Sequence, residues 1–281
     1  MIELASNRYG KAAIRLVRVA RGPDGDRLRD LTVAIALEGD FTAAHTDGDN
    51  ANVIATDTMK NTAYAFAKDH LDGPLEDYGR ALAEHFLASP QVDVATVNIK
   101  GHHWHAIDVA GTPAPDAFVR GGEGTRVATI SATAAGTTVE AGVEDLVVMK
   151  TTRSAFSGFP RDQYTTLPET DDRLMATKVT AIWRYGSPDL DFDAVFDDVR
   201  TTLLEVFAEH DSPSVQTSIW IMAKAILDRH DEVDEVRMVL PNLHHWLVDL
   251  RPFGLENDRE IYTPTTEPHG LIEATVRRGE G

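Results

Sequence analysis

Two segments rich in histidine, Gly101-His102-His103-Trp104-His105 and Asn242-Leu243-His244-His245-Trp246, are the first places where side chains could do chemistry. Alternate residues of a strand share a face, so His103 and His105 could offer two imidazoles to one zinc or copper ion. Neither segment brings a carboxylate at a familiar interval or matches His-Glu-x-x-His. Packed or surface imidazoles account for them better than a metal site, and no metal is expected. Ser157-Gly158 lacks the strand–turn–helix frame of a nucleophile elbow. Arg120-Gly121-Gly122-Glu123-Gly124 reads as a turn, and no phosphate loop is present, so standard nucleotide cofactors are not indicated. Two helix starts are more suggestive. Ser214-Val215-Gln216 and Thr56-Asp57 each open an amphipathic stretch, where free backbone N–H groups and the helix dipole favour an anion. Gln216 adds an amide that donates and accepts, which suits a flat heterocycle rimmed by C=O and N–H groups. Ordinary helix capping accounts for the same residues.

Elements must position these groups, and hydrophobic periodicity supplies them in two similar rounds. Ile14–Val19 and Leu31–Leu37 alternate as half-buried strands around a turn at Arg21–Asp26. Helical spacing runs over Thr56–His70, and again from Gly73-Pro74 through Leu75, Tyr78, Leu82 and Phe86. Strands follow at Val92–Ile99, His103–Val109 and Arg126–Ser131. The second round has strands at Val139–Lys150 and Met175–Tyr185, then a helix over Asp191–His210. Another helix begins at Ser212-Pro213, with Ser212 as N-cap and Pro213 at the first helical position. Strands close the round at Val236–Leu240, His245–Leu250 and Ile272–Val276. The order predicts a duplicated α+β unit, an antiparallel sheet with helices on one face, divided at 1–136 and 137–281. The bare sheet faces favour pairing of domains or subunits.

The 281 residues are 42% apolar and 26% charged, which is ample for a folded core without disulfides or a structural metal. The absence of cysteine excludes disulfides, thiolate metal sites and cysteine nucleophiles. A net charge of −18 without a basic run argues against nucleic acid as a partner. No apolar stretch approaches the roughly 18 residues that span a bilayer, so no membrane partner is expected either. The first eleven residues hold no apolar signal segment and the last three are not a peroxisomal address, so the cytoplasm is the expected compartment.

In order along the chain stand Tyr9-Gly10-Lys11, Ala55-Thr56-Asp57-Thr58-Met59-Lys60-Asn61-Thr62, Val97-Asn98-Ile99 and Phe156-Ser157-Gly158-Phe159-Pro160-Arg161-Asp162. They are followed by Gln163-Tyr164-Thr165-Thr166-Leu167-Pro168-Glu169-Thr170, Asp172-Arg173, Pro213-Ser214-Val215-Gln216, Leu240-Pro241-Asn242-Leu243-His244 and Gly270-Leu271-Ile272. Taken together these blocks resemble the urate oxidase (uricase) family of the tunnelling, or T-fold, superfamily, over nearly the whole chain.

The resemblance implies two tandem T-fold domains, with sheets joining into a barrel between chains and a homotetramer with active sites at subunit interfaces. It implies oxidation of urate by O2 and water to 5-hydroxyisourate and hydrogen peroxide, with no cofactor and no metal. Lys11, Thr56 and Asp57 would come from one chain, and Phe156, Arg173, Val215, Gln216, Asn242 and His244 from its neighbour. Arg173 and Gln216 would hold the anionic ring, aided by the Val215 N–H; Phe156 would stack on it, and Thr56 and Asp57 would hold the opposite edge. Asn242 would hold the oxidant or water, and Lys11, Thr56 and His244 would relay protons. Leu243 stands where some relatives carry a charged residue, but it points away from its two functional neighbours. Two alternatives stay open: another T-fold enzyme acting on a pterin or purine with a metal, and a non-catalytic purine-binding protein.

Overall fold

The computed structural model describes residues 2–23 and 25–279. The chain is α+β and divides into two compact units, one running to Gly142 and adding Arg184–Phe196, the other comprising Val143–Trp183 and Asp197–Gly281.

In the first unit the strands lie in the order β1 (Tyr9–Ala20), β2 (Arg27–Gly39), β3 (Val92–His102), β6 (Thr125–Thr133) and the start of β7 (Gly136–Lys150). β1, β2, β3 and β6 pair antiparallel, with Ile35 opposite Lys11 on one side and Val97 on the other. Period-2 patterning does what the sequence predicts: Leu31, Val33, Ile35 and Leu37 are all buried. Against that face lie α2 (Thr56–His70), burying Met59, Ala63 and Ala67, and α3 (Leu75–Leu87), burying Tyr78, Leu82 and Phe86. The Tyr78 hydroxyl donates to the Ala63 carbonyl at 2.8 Å and joins the two helices. A short helix, α1 (Thr42–Thr46), precedes them. β4 (Trp104–Val109) and β5 (Thr112–Arg120) form a separate two-stranded hairpin.

The second unit continues from β7 to β8 (Met175–Tyr185), β9 (Val233–Leu247) and β11 (Leu271–Arg277), with β10 (Tyr262–Thr265) on the end of β9. Its core joins Val179, Ala181 and Trp183 of β8 to Met238 and Leu240 of β9. Leu203 of α4 (Phe192–Glu209) and Ile219, Met222 and Ile226 of α5 (Val215–Arg229) complete it. The buried Lys150 ammonium donates to the carbonyls of Phe207, Ala208 and His210 at 2.8, 3.2 and 2.8 Å, closing the C-terminus of α4.

Three sequence expectations need correction. Ser214, not Ser212, caps α5: its hydroxyl accepts the Thr217 N–H at 3.2 Å, while Ser212 turns its hydroxyl to Ser218. The segments 236–240 and 245–250 are not two strands but belong to β9, which runs unbroken through Pro241 and ends at Leu247. The hairpin strand β5 and the strand β10 were not expected at all.

Candidate active-site groups and family

Residue Lys11 sits half-buried on β1, just before a bulge that shifts the register between Lys11 and Ile14 and puts Ala13 at φ 56°. Its neighbour Gly10 must be glycine. A Cβ there would stand 1.9 Å from the Ile35 carbonyl oxygen on β2, so the strands approach here as closely as backbone permits.

Thr56 and Asp57 open α2 behind Ala55, whose side chain supplies no cap. The Asp57 carboxylate does not fill the gap. It pairs with the Lys60 ammonium and accepts from the Asn61 amide at 3.0 Å, and these contacts hold its pKa below the ordinary carboxylate value. With no side-chain cap at Ala55, the first turn of α2 can offer its N–H groups to an outside acceptor. Lys11 is close enough to add to the stabilisation of the Asp57 carboxylate.

In the second unit, a short segment around Phe156 is tied on both sides. Phe156 exchanges backbone hydrogen bonds with Thr170 at 2.8 and 3.0 Å, and the Arg173 N–H donates to the Ser154 carbonyl at 2.7 Å. Ser212 accepts from the Ala155 N–H at 2.7 Å and donates to Arg153 at 2.9 Å. Two residues beyond Ser212, the Ser214 cap starts α5, whose first two residues are Val215 and Gln216. Val215 is buried, and the Gln216 side chain is exposed without a hydrogen-bond partner among the described residues.

Arg173 is the electrostatic centre of this group. Its guanidinium lies 5.4 Å from the centroid of Phe156, whose ring stacks on Phe159 at 4.9 Å and 14°. It is half-buried, its Nε has no partner, and no carboxylate among the described residues pairs with it. Burial pushes its pKa down, so the fold carries the cost of a desolvated cation without its own counter-charge. Such an arrangement fits a bound anion.

Asn242 and His244 alternate along β9 at a change of partner. The ladder with β11 reaches Pro241, and the ladder with β10 begins at His244. The Asn242 N–H donates to Gly270 at 2.8 Å between them. The His244 ring stacks near Trp246 at 5.4 Å, and burial followed by the nearby charges of Arg173 and His269 pushes its pKa down. A neutral imidazole can both accept and pass on a proton.

The sequence-derived residues thus fall into two groups. Lys11, Thr56 and Asp57 belong to the first unit, and Phe156, Arg173, Val215, Gln216, Asn242 and His244 to the second. Among the described residues no cluster of three or more His, Asp or Glu is arranged to hold a metal ion. His103 and His105 do meet, ring centroids 4.3 Å apart, but His102 is engaged with Thr32 at 2.8 Å and Arg120 at 2.9 Å. A cleft of about 540 Å³ in the second unit is walled by Arg153, Asp171, Asp172 and Asp211 and by none of the nine sequence-derived site residues. Sequence reading gave no separate role to Tyr9 or Phe159, and cast Ser212 only as a helix cap. An aromatic two positions before Lys11 on one strand face is the only signal that could have marked the first.

Comparison with known proteins places the chain in a family. The chain is 45% identical to a uricase of Arthrobacter globiformis over 99% of its own length and 90% of the relative's. It is 38% identical to a uricase of Dictyostelium discoideum over 99% and 98%. A crystal structure of uricase from Arthrobacter globiformis superimposes with a TM-score of 0.94 at 43% identity, covering 100% of this chain and 96% of that one. The uricase family profile matches residues 7–131 and 139–273, and the chain belongs to the uricase family.

Proposed function

We propose that the protein oxidises urate with O2 and water to 5-hydroxyisourate and hydrogen peroxide, without metal or organic cofactor. The observation that carries this reading is Arg173, a half-buried guanidinium with no carboxylate partner among the described residues, set beside the aromatic face of Phe156. Urate is planar and anionic near neutral pH. Laid against Phe156, it would present one edge to the Arg173 fork and the next to Gln216 and the Val215 N–H. The uncapped first turn of α2, with Thr56 and the Asp57 N–H, would take the opposite edge. Lys11, Thr56 and His244 would then move the proton whose loss makes the ring electron-rich enough to reduce O2, and Asn242 would hold the oxidant or the attacking water.

The protein would work in the cytoplasm as a homotetramer of tandem T-fold domains, residues 1–136 and 137–281, with two chains joining their sheets into a barrel. Each site would combine the first group of residues from one subunit with the second group from its neighbour. Exposed apolar side chains on sheet strands, Val17 and Val19 on β1 and Val147 and Met149 on β7, support burial of sheet faces by association.

The test adds urate to chelator-treated protein in aerated buffer and follows its ultraviolet band, oxygen uptake and peroxide release. The band is expected to fall with one O2 consumed and one peroxide released per urate. A band that persists, or that falls only after metal is restored, refutes the cofactor-free reading.

A further inference from the structure

The helix that carries Thr56 starts without a side-chain cap, and Ala is among the poorest residues for that position. Something else must fix where it begins. The tie is Tyr9. Its hydroxyl accepts the Ile54 N–H at 2.8 Å and donates to the Ile54 carbonyl at 3.2 Å, so one phenol satisfies both backbone groups of a residue 45 positions away. The ring is held in turn, edge-on to the buried Phe41 with centroids 4.7 Å apart and planes at 82°. Burial pushes the phenol's pKa up and keeps it protonated, the form that can donate.

The register is what gives this tie a consequence for chemistry. Lys11 lies two residues beyond Tyr9 on the same face of β1, and Thr56 lies two residues beyond Ile54. One hydroxyl therefore links, through two hydrogen bonds, the residue two before Lys11 to the residue two before Thr56. The bulge after Lys11 and the contact of Gly10 with Ile35 leave β1 little freedom to compensate on its side. We propose that Tyr9 is a positioning residue whose hydroxyl sets the spacing between Lys11 and Thr56. The uncapped N-terminus stays open for substrate because the tether is made one residue upstream of the N-cap. This inference rests on the reading of Lys11 and Thr56 as relay groups.

Tyr9→Phe keeps the ring and its Phe41 contact and removes only the hydroxyl. Its kcat for urate is expected to fall about tenfold, with KM within about twofold of the parent, because a small misplacement of reacting groups costs rate more than binding. In a cycle with Thr56→Ala, the double variant should be no slower than Thr56→Ala alone, since the hydroxyl acts through Thr56. Phe41→Leu, which keeps the hydroxyl but loosens the ring, should lower kcat in the same direction and guards against misfolding of the first variant. Unchanged kcat in Tyr9→Phe and Phe41→Leu, or losses that multiply in the cycle, would overturn the proposal while Lys11→Ala and Thr56→Ala still lose turnover. If those two also keep full turnover, the relay reading itself falls and takes this inference with it.

Discussion

Changing Lys11 to Ala is expected to lower kcat for urate about 10²- to 10⁴-fold, the range for loss of a general acid–base group, while KM moves little. The asymmetry follows from where the residues lie. Most of the groups proposed to grip the ring, Phe156, Arg173 and Gln216, belong to the second unit, and Lys11 to the first, where Thr56 and Asp57 would hold only the far edge. Removing the amine should leave the grip and take away the proton transfer. Lys11→Arg sharpens the test. A guanidinium keeps its positive charge at every working pH and cannot accept a proton, so this variant should be as slow as Lys11→Ala. Oxygen uptake gives kcat, and anaerobic titration with urate gives affinity without turnover. Near-parental activity in Lys11→Arg would mean that the charge alone matters; raised KM with unchanged kcat in Lys11→Ala would mean an anchor rather than a base.

Arg173→Ala is expected to weaken anaerobic urate binding about 10²-fold, as two charge-assisted hydrogen bonds at about 1.5 kcal/mol each are lost. Its thermal midpoint should hold or rise. In the free protein this guanidinium is desolvated without a counter-charge, so removing it relieves the fold of a cost. A variant that binds urate normally would show that the anion's edge faces another group. A variant that unfolds at lower temperature would show that Arg173 serves the fold.

Helix α2 and strand β8 are legible in the sequence with their observed bounds, because the stripe Met59, Ala63, Ala67 and the alternation Val179, Ala181, Trp183 are local patterns. β5 hides behind Pro113 and Pro115, which read as loop; a two-stranded hairpin has free edges that tolerate a missing N–H. β9 looks broken at Pro241 because a proline there interrupts the apolar alternation. The strand survives because it changes partners at that point and Thr177 donates to the Pro241 carbonyl at 2.8 Å. The α5 cap is displaced by two residues because Ser212 and Ser214 are equally good caps by type. Only the burial of Ser218 decides which serine turns inward. Arg173 as a cation is visible in the sequence, but its lack of a partner is not, since Asp171 and Asp172 stand beside it. In the structure Asp172 turns to Thr152 at 3.0 Å. Tyr9 is silent for a simpler reason: its partner lies 45 positions away and contributes only backbone.

The proposed sharing of each site between two subunits has a genetic consequence. Were each site to draw Lys11 from one subunit and Arg173 from the next, as proposed, two alleles that are separately crippled would restore one another. Cells carrying both Lys11→Ala and Arg173→Ala would assemble mixed tetramers by chance. Roughly a quarter of the sites would then pair an intact Lys11 with an intact Arg173, leaving a heterozygote that degrades urate at low concentration faster than either homozygote.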